Sequence, residues 1–270
     1  MRFLVFQHVA AEHPGSLRDL MRADGVVWDT VELDEGEAIP PLDGYDALLV
    51  FGGPMDVWQE AEHPWLVPEK AAIRAWTAQD RPYLGVCLGH QLLADALGGR
   101  VGLMAAPEVG VREIELTAAG RAPPLLAGLP SPCPTLQLVL GLLIPLFLIG
   151  TLIMFVLDRS GGNPFFLEET VRTLVETGAL AGQRGHYRLA QPIQAIQVGR
   201  RAFGIQYHVE LTEETVPEWG IIPEYRCALE AITGPGGQAE LELATRERMP
   251  EFRANAARLY RNFIEVCRTP

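Results

Sequence analysis

Gly85-Val86-Cys87-Leu88-Gly89-His90-Gln91 is the stretch of this chain most able to do chemistry, because a cysteine stands there with a glycine two residues away on either side. It follows a short apolar strand-like run, Tyr83 to Val86, and precedes a helix-like one, Gly89 to Leu97, so the sulfur would sit on a sharp strand-to-helix turn. Small neighbours allow the turn, while the helix N-terminus favours a thiolate and offers N–H groups to an oxyanion. The competing reading is a buried structural thiol, the commoner fate of a free cysteine. Phe51-Gly52-Gly53-Pro54 could turn N–H groups inward as an oxyanion hole, or be an ordinary turn. In Gly204-Ile205-Gln206-Tyr207-His208-Val209-Glu210, period-two spacing puts His208 and Glu210 on one side of an extended segment. A carboxylate there could hold an imidazole that activates a thiol, or the two could form a solvated pair.

The elements that must position these groups alternate. Phe3 to Gln7, Val26 to Leu33, Ala47 to Phe51, Tyr83 to Val86 and Ala202 to Tyr207 read as strands. Pro14 to Ala23, with Gly25 just past its end, and Glu69 to Gln79, with Ile73 and Trp76 on one face, read as helices. Such β-α alternation predicts an α/β fold with an open, mostly parallel sheet and helices on both faces, whose ligands lie beyond the carboxyl ends of the strands. A last helical pattern, Glu240 to Val266, should break or kink at Pro250.

The balance of 34 acidic against 22 basic residues gives a net charge of -12 in 270 residues, which argues against nucleic acid as a partner. Cys87, Cys133, Cys227 and Cys267 lack C-x-x-C spacing, so no zinc site or disulfide framework is expected, and reduced thiols fit a cytoplasmic location. The apolar start of the chain is too brief for a signal peptide. One segment departs from this texture. Leu138 to Leu157 carries no charge over 20 residues, long enough to span a bilayer as a helix. A single crossing would put Cys87 and His208 on opposite faces of the membrane, so that span and thiol catalysis exclude one another. With no second span and no basic flank, membrane association through 138–157 is not favoured.

The three motifs together resemble the triad (class I) glutamine amidotransferases, the family whose glutaminase domains feed enzymes such as GMP synthase. The G-x-C-x-G-x-Q and H-x-E patterns occur in the right order, with the glycine-rich loop upstream. The resemblance covers residues 1–137 and 195–270 and implies a flavodoxin-like sheet. It implies that Cys87 attacks the side-chain amide of glutamine to form a γ-glutamyl thioester, that His208 shuttles the proton and that Glu210 orients it. The N–H groups of Gly53 and Leu88 would then stabilise the oxyanion, Gln91 would help hold the substrate, and ammonia would pass to a separate synthetase. No cofactor or metal is implied. A γ-glutamyl peptide hydrolase, or a catalytically impaired binding or membrane-associated relative, are the alternatives.

Residues 138–194 do not follow the family. The Trp-x-x-His-Gly-Asp segment that normally follows the strand Pro134 to Gln137 is absent. The amphipathic stretch Leu167 to Leu180 and its flanks resemble instead a piece of the large regulatory ATPases. No G-x-x-x-x-G-K-[ST] loop occurs, so nucleotide binding is not expected. These residues read as an apolar and helical insertion.

Overall fold

The computed structural model describes residues 1–99, 101–102, 108–117, 120–139, 180–183, 186–189 and 194–269. Its centre is a six-stranded sheet in the order β2-β1-β3-β4-β10-β9. The strands are β1 (Arg2–Gln7), β2 (Val27–Glu32), β3 (Ala47–Val50), β4 (Tyr83–Val86), β9 (Ala195–Val198) and β10 (Ala202–Ile205). All neighbours pair in parallel except β9, which runs antiparallel along β10 at the edge. The expected open, mostly parallel sheet is therefore present, in the doubly wound order that places ligand sites at the carboxyl ends.

Alternation along the strands sorts the core into two layers, because successive side chains face opposite sides of a sheet. Phe3, Val5, Leu49, Leu84, Val86, Phe203 and Ile205 pack on one side with Leu17 and Met21 of α1 (Leu17–Ala23) and Leu259 and Phe263 of α7 (Met249–Arg268). On the other side Leu4, Phe6, Leu48, Val50 and Tyr83 pack with Ile73 and Trp76 of α2 (Leu66–Thr77) and Leu92 and Leu93 of α3 (Leu88–Ala96). Helix α3 is buried along nearly its whole length, held between the sheet and α2.

A third cluster lies outside the sheet. The antiparallel pair β5 (Glu108–Ile114) and β6 (Cys133–Val139) contributes Val109, Leu136 and Leu138. Three helices supply the rest: Trp219 from α4 (Thr215–Trp219), Tyr225 and Leu229 from α5 (Pro223–Thr233), and Leu241 from α6 (Gly237–Glu247). The sequence patterns did not disclose β5, α4 or α5. Each is short or weakly periodic, and each takes its shape from packing on this cluster.

Two boundaries differ from expectation. The C-terminal helical pattern is two helices that part at Arg248, and Pro250 lies in the first turn of α7, where its missing N–H costs nothing. Leu138 and Val139 belong to β6, paired with Val109 and Glu108, so the ordered edge runs two residues into the apolar run. The rest of that run lies outside the described residues, as does nearly all of Leu167 to Leu180; Leu180 itself opens β7 (Leu180–Gln183), which forms a separate hairpin with β8 (His186–Leu189). Among the described residues no helix is long and apolar enough to cross a membrane.

Candidate active site

Four adjacent parallel strands deliver one group each to the same edge. β1 ends at Gln7 and is followed by His8; β3 ends at Val50 and leads into Gly52 and Gly53; β4 ends at Val86 and yields Cys87; β10 ends at Ile205 and leads through Gln206 to His208 and Glu210. Parallel register stacks these ends side by side, Phe6 against Val50, Val50 against Gly85 and Val86 against Ile205.

Cys87 stands on the expected elbow. Its backbone has φ 54° and ψ -108°, a region a non-glycine residue occupies only when its surroundings compel it. The surroundings are explicit: its N–H donates to the Ile205 carbonyl at 2.9 Å, and its own carbonyl accepts from His90 at 3.1 Å. The amide of Gly89 donates to the Phe51 carbonyl at 3.1 Å, drawing the start of α3 against the Gly52-Gly53 loop. A β-carbon at Gly89 would run into the Val50 carbonyl, so only glycine permits this approach. Leu88 is the first residue of α3, where amides lack intrahelical partners and remain free to donate outward.

His208 is fixed from three sides. Its backbone exchanges both hydrogen bonds with Leu136 of β6, at 2.9 and 3.0 Å. Its Nδ1 lies 2.6 Å from Glu210 Oε1, and the edge of the Trp219 indole closes on the ring at a centroid distance of 4.9 Å. Glu210 Oε2 in turn accepts the Val209 N–H at 2.9 Å. The opposite nitrogen, Nε2, is buried and makes no aligned hydrogen bond; the Cys87 sulfur lies close enough to act on it. Burial opposes a charge on this ring, but the Glu210 carboxylate and the Cys87 sulfur outweigh it and hold the imidazole well above its usual pKa. Burial likewise pushes Glu210 upward, and the facing imidazole brings it below the ordinary carboxylate range. The pair is thus an ionised carboxylate holding a cationic imidazole beside a thiol, the arrangement thiol catalysis requires.

Gln91 is buried with its Nε2 donating to Gln206 Oε1 at 3.3 Å, and Gln206 Nε2 donates to the Cys87 sulfur at 3.7 Å. The two amides form a relay that steadies the thiol, so the substrate contact expected of Gln91 is replaced here by a contact with a neighbouring side chain. His90 is also buried, and desolvation pushes its imidazole down to about 4.

The sequence reading missed Glu12, His8, Glu69, Tyr225 and Trp219. Glu12 is buried close against Gly52, and its Oε1 accepts the Tyr225 hydroxyl at 2.7 Å. Desolvation raises its pKa against the opposing pull of His208. The position of His8 just past a strand's carboxyl end was a usable signal. Glu12, Trp219 and Tyr225 carried none, because loops and weak helices bring them in from distant parts of the chain. No group of three or more His, Cys, Asp or Glu side chains able to hold a metal ion occurs among the described residues.

Residues 16–138 match the family model for glutamine amidotransferase class-I. The chain is 29% identical over 220 residues to the glutamine amidotransferase-like protein YfeJ of Salmonella typhimurium, covering 80% of this chain and 78% of that one. It is 42% identical over 176 residues to a GMP synthase (glutamine-hydrolyzing) of Aeropyrum pernix, covering 65% of this chain but only 26% of the synthase. A solved glutamine amidotransferase of Thermotoga maritima superposes with a TM-score of 0.72 at 21% identity, covering 98% of both chains, which establishes the likeness of fold.

Proposed function

Since this chain carries a class-I glutamine amidotransferase domain, we propose that it hydrolyses the side-chain amide of glutamine to glutamate and ammonia through a Cys87 thioester. The observation that carries the reading is the buried His208, held 2.6 Å from Glu210 on one side and facing the Cys87 sulfur on the other.

In this scheme the Cys87 thiolate adds to the amide carbon and the carbonyl electron pair moves onto oxygen. The N–H groups of Gly53 and Leu88 receive that oxyanion. The oxyanion collapses, the C–N bond breaks, and the imidazolium of His208 gives its proton to the departing nitrogen, which leaves as ammonia. Water then adds to the thioester while His208 takes its proton; the C–S bond breaks, glutamate leaves and the thiol is restored. Glu210 keeps the imidazole oriented and basic throughout. Gln91, through Gln206, steadies the sulfur at the height where the amide carbon arrives.

Residues 1–137 and 195–270 are assigned to this domain, with 138–194 as an insertion. Ammonia would pass to a separate synthetase in the reducing cytoplasm. The likeness to part of a GMP synthase supports a partner of that kind without fixing which acceptor it serves. The test is direct. Purified chain given glutamine should release glutamate and ammonia in equal amounts, a glutamine-analogue electrophile should label Cys87, and Cys87→Ala should abolish both. Turnover that survives Cys87→Ala, or a strong preference for γ-glutamyl peptides over glutamine, would overturn the scheme or redirect it to peptide hydrolysis.

A further inference from the structure

His8 lies outside the triad, yet it is fully buried and both its ring nitrogens are engaged. Nδ1 is 2.8 Å from the Gly52 carbonyl oxygen and Nε2 is 2.9 Å from Glu69 Oε1. A carbonyl oxygen can only accept, so Nδ1 must carry the proton and donate. The ring is held in that orientation by Glu69, itself fully buried in α2, and by the Trp65 indole stacked on it at a centroid distance of 5.3 Å. The Glu69 and Glu12 carboxylates both favour a cationic ring against the cost of burial, and its pKa is raised. Such an arrangement is more than packing needs: a charge-bearing pair has been placed in the core to hold a single backbone oxygen.

That oxygen belongs to the peptide joining Gly52 to Gly53. In a trans peptide the C=O and the following N–H point in opposite directions from one plane. No cis bond occurs here, so fixing the Gly52 carbonyl toward His8 turns the Gly53 N–H away from it. On the far side stands the beginning of α3: Gly53 packs against the Leu88 side chain, and the Gly89 amide ties the same loop through the Phe51 carbonyl. With two glycines in succession, the loop has little rotational restraint of its own.

We propose that His8, oriented by Glu69, is a positioning residue that pins the Gly52–Gly53 peptide so that the Gly53 N–H faces the oxyanion formed at Cys87. The inference rests on the glutaminase reading for the identity of the oxyanion, but the pinned peptide itself can be read without turnover. His8 touches neither substrate nor sulfur; it acts through the peptide.

The experiment compares His8→Phe, which keeps a ring against Trp65 and loses the donor, with His8→Asn, whose amide N–H replaces Nδ1–H, and His8→Gln, whose amide reaches the Nε2 position instead. For glutamine hydrolysis, His8→Phe should lower kcat on the order of a hundredfold, the size of losing one oxyanion donor, with KM changed less than about threefold; His8→Asn should recover about tenfold of that loss and His8→Gln should not. Alkylation of Cys87 by iodoacetamide forms no tetrahedral oxyanion, so its rate should be the same in all four proteins. Unchanged kcat in the Phe variant, equal rates for Asn and Gln, or alkylation that falls in step with turnover would overturn the proposal. Where the Phe variant fails to fold, the Asn and Gln pair carries the comparison. Should the unaltered protein release no ammonia, the glutaminase reading fails, and the pin is judged by nitrogen NMR of the histidine rings. A protonated Nδ1 on His8 supports the pin and a bare one ends it.

Discussion

At Glu210 a carboxylate 2.6 Å from the imidazole holds the His208 ring well above its usual pKa, against the cost of its burial. Glu210→Gln keeps the size and an acceptor but removes the charge, so the His208 pKa should fall. The limb of the kcat–pH profile that reports this ring should shift to lower pH, and kcat should drop on the order of a hundredfold or more. An unmoved limb would separate Glu210 from the imidazole's titration. Glu12 presents the opposite sign. Its carboxyl is raised by burial, so the folded state binds the proton more tightly than the unfolded state, and stability declines as pH climbs from the ordinary carboxylate range through the raised value. Glu12→Gln retains an acceptor for the Tyr225 hydroxyl and carries no charge. The variant should melt higher than the parent at neutral pH, with the difference vanishing on acidification; a difference independent of pH would show that charge burial is not its cause.

Helix α3 and strands β3 and β4 form a tightly fitted unit in which α3 starts where the nucleophile must be. Gly89 is the contact that permits it, since any β-carbon there meets the Val50 carbonyl. Gly89→Ala should cost about 1–3 kcal/mol or more by forcing the helix off the strand, measured by denaturant unfolding. It should also slow glutamine turnover, because the Leu88 N–H and the Cys87 sulfur would move with the helix start. Full stability in this variant would mean that α3 has more play than its burial implies. Strand β6 has a comparable role on the other side, for the backbone of Leu136 grips His208 with two hydrogen bonds. The strand reaches Val139, so a cut at 138 removes part of what positions the imidazole.

Over the whole molecule, the nucleophile comes from the first third of the chain and its base from the last, while β6 and β9 enclose the stretch that departs from the family pattern. Gln137 Nε2 donates to Gln194 Oε1 at 3.0 Å, so the two sides of that stretch meet at the domain. Replacing 140–193 by a short glycine-serine linker should leave the melting temperature within a few degrees and preserve labelling of Cys87 by a glutamine-analogue electrophile. Ordinary glutaminase rates should not return, because the glutamine-positioning segment would still be missing. Loss of folding would show that 140–193 belongs to the core. The sequence alone determined the parallel α/β sheet, the elbow at Cys87, the glycine loop and the His208–Glu210 pairing. All of these are local: alternation, turn chemistry and period-two spacing act over a few residues, and neighbours in sequence are obliged to express them. Only the tertiary structure decided that Gln91 turns to Gln206, that Glu12 and Tyr225 meet beside the site, and that His8 and Glu69 grip the Gly52 carbonyl. Those contacts join residues dozens to hundreds of positions apart, and they exist because packing buries polar groups that must then find partners within reach.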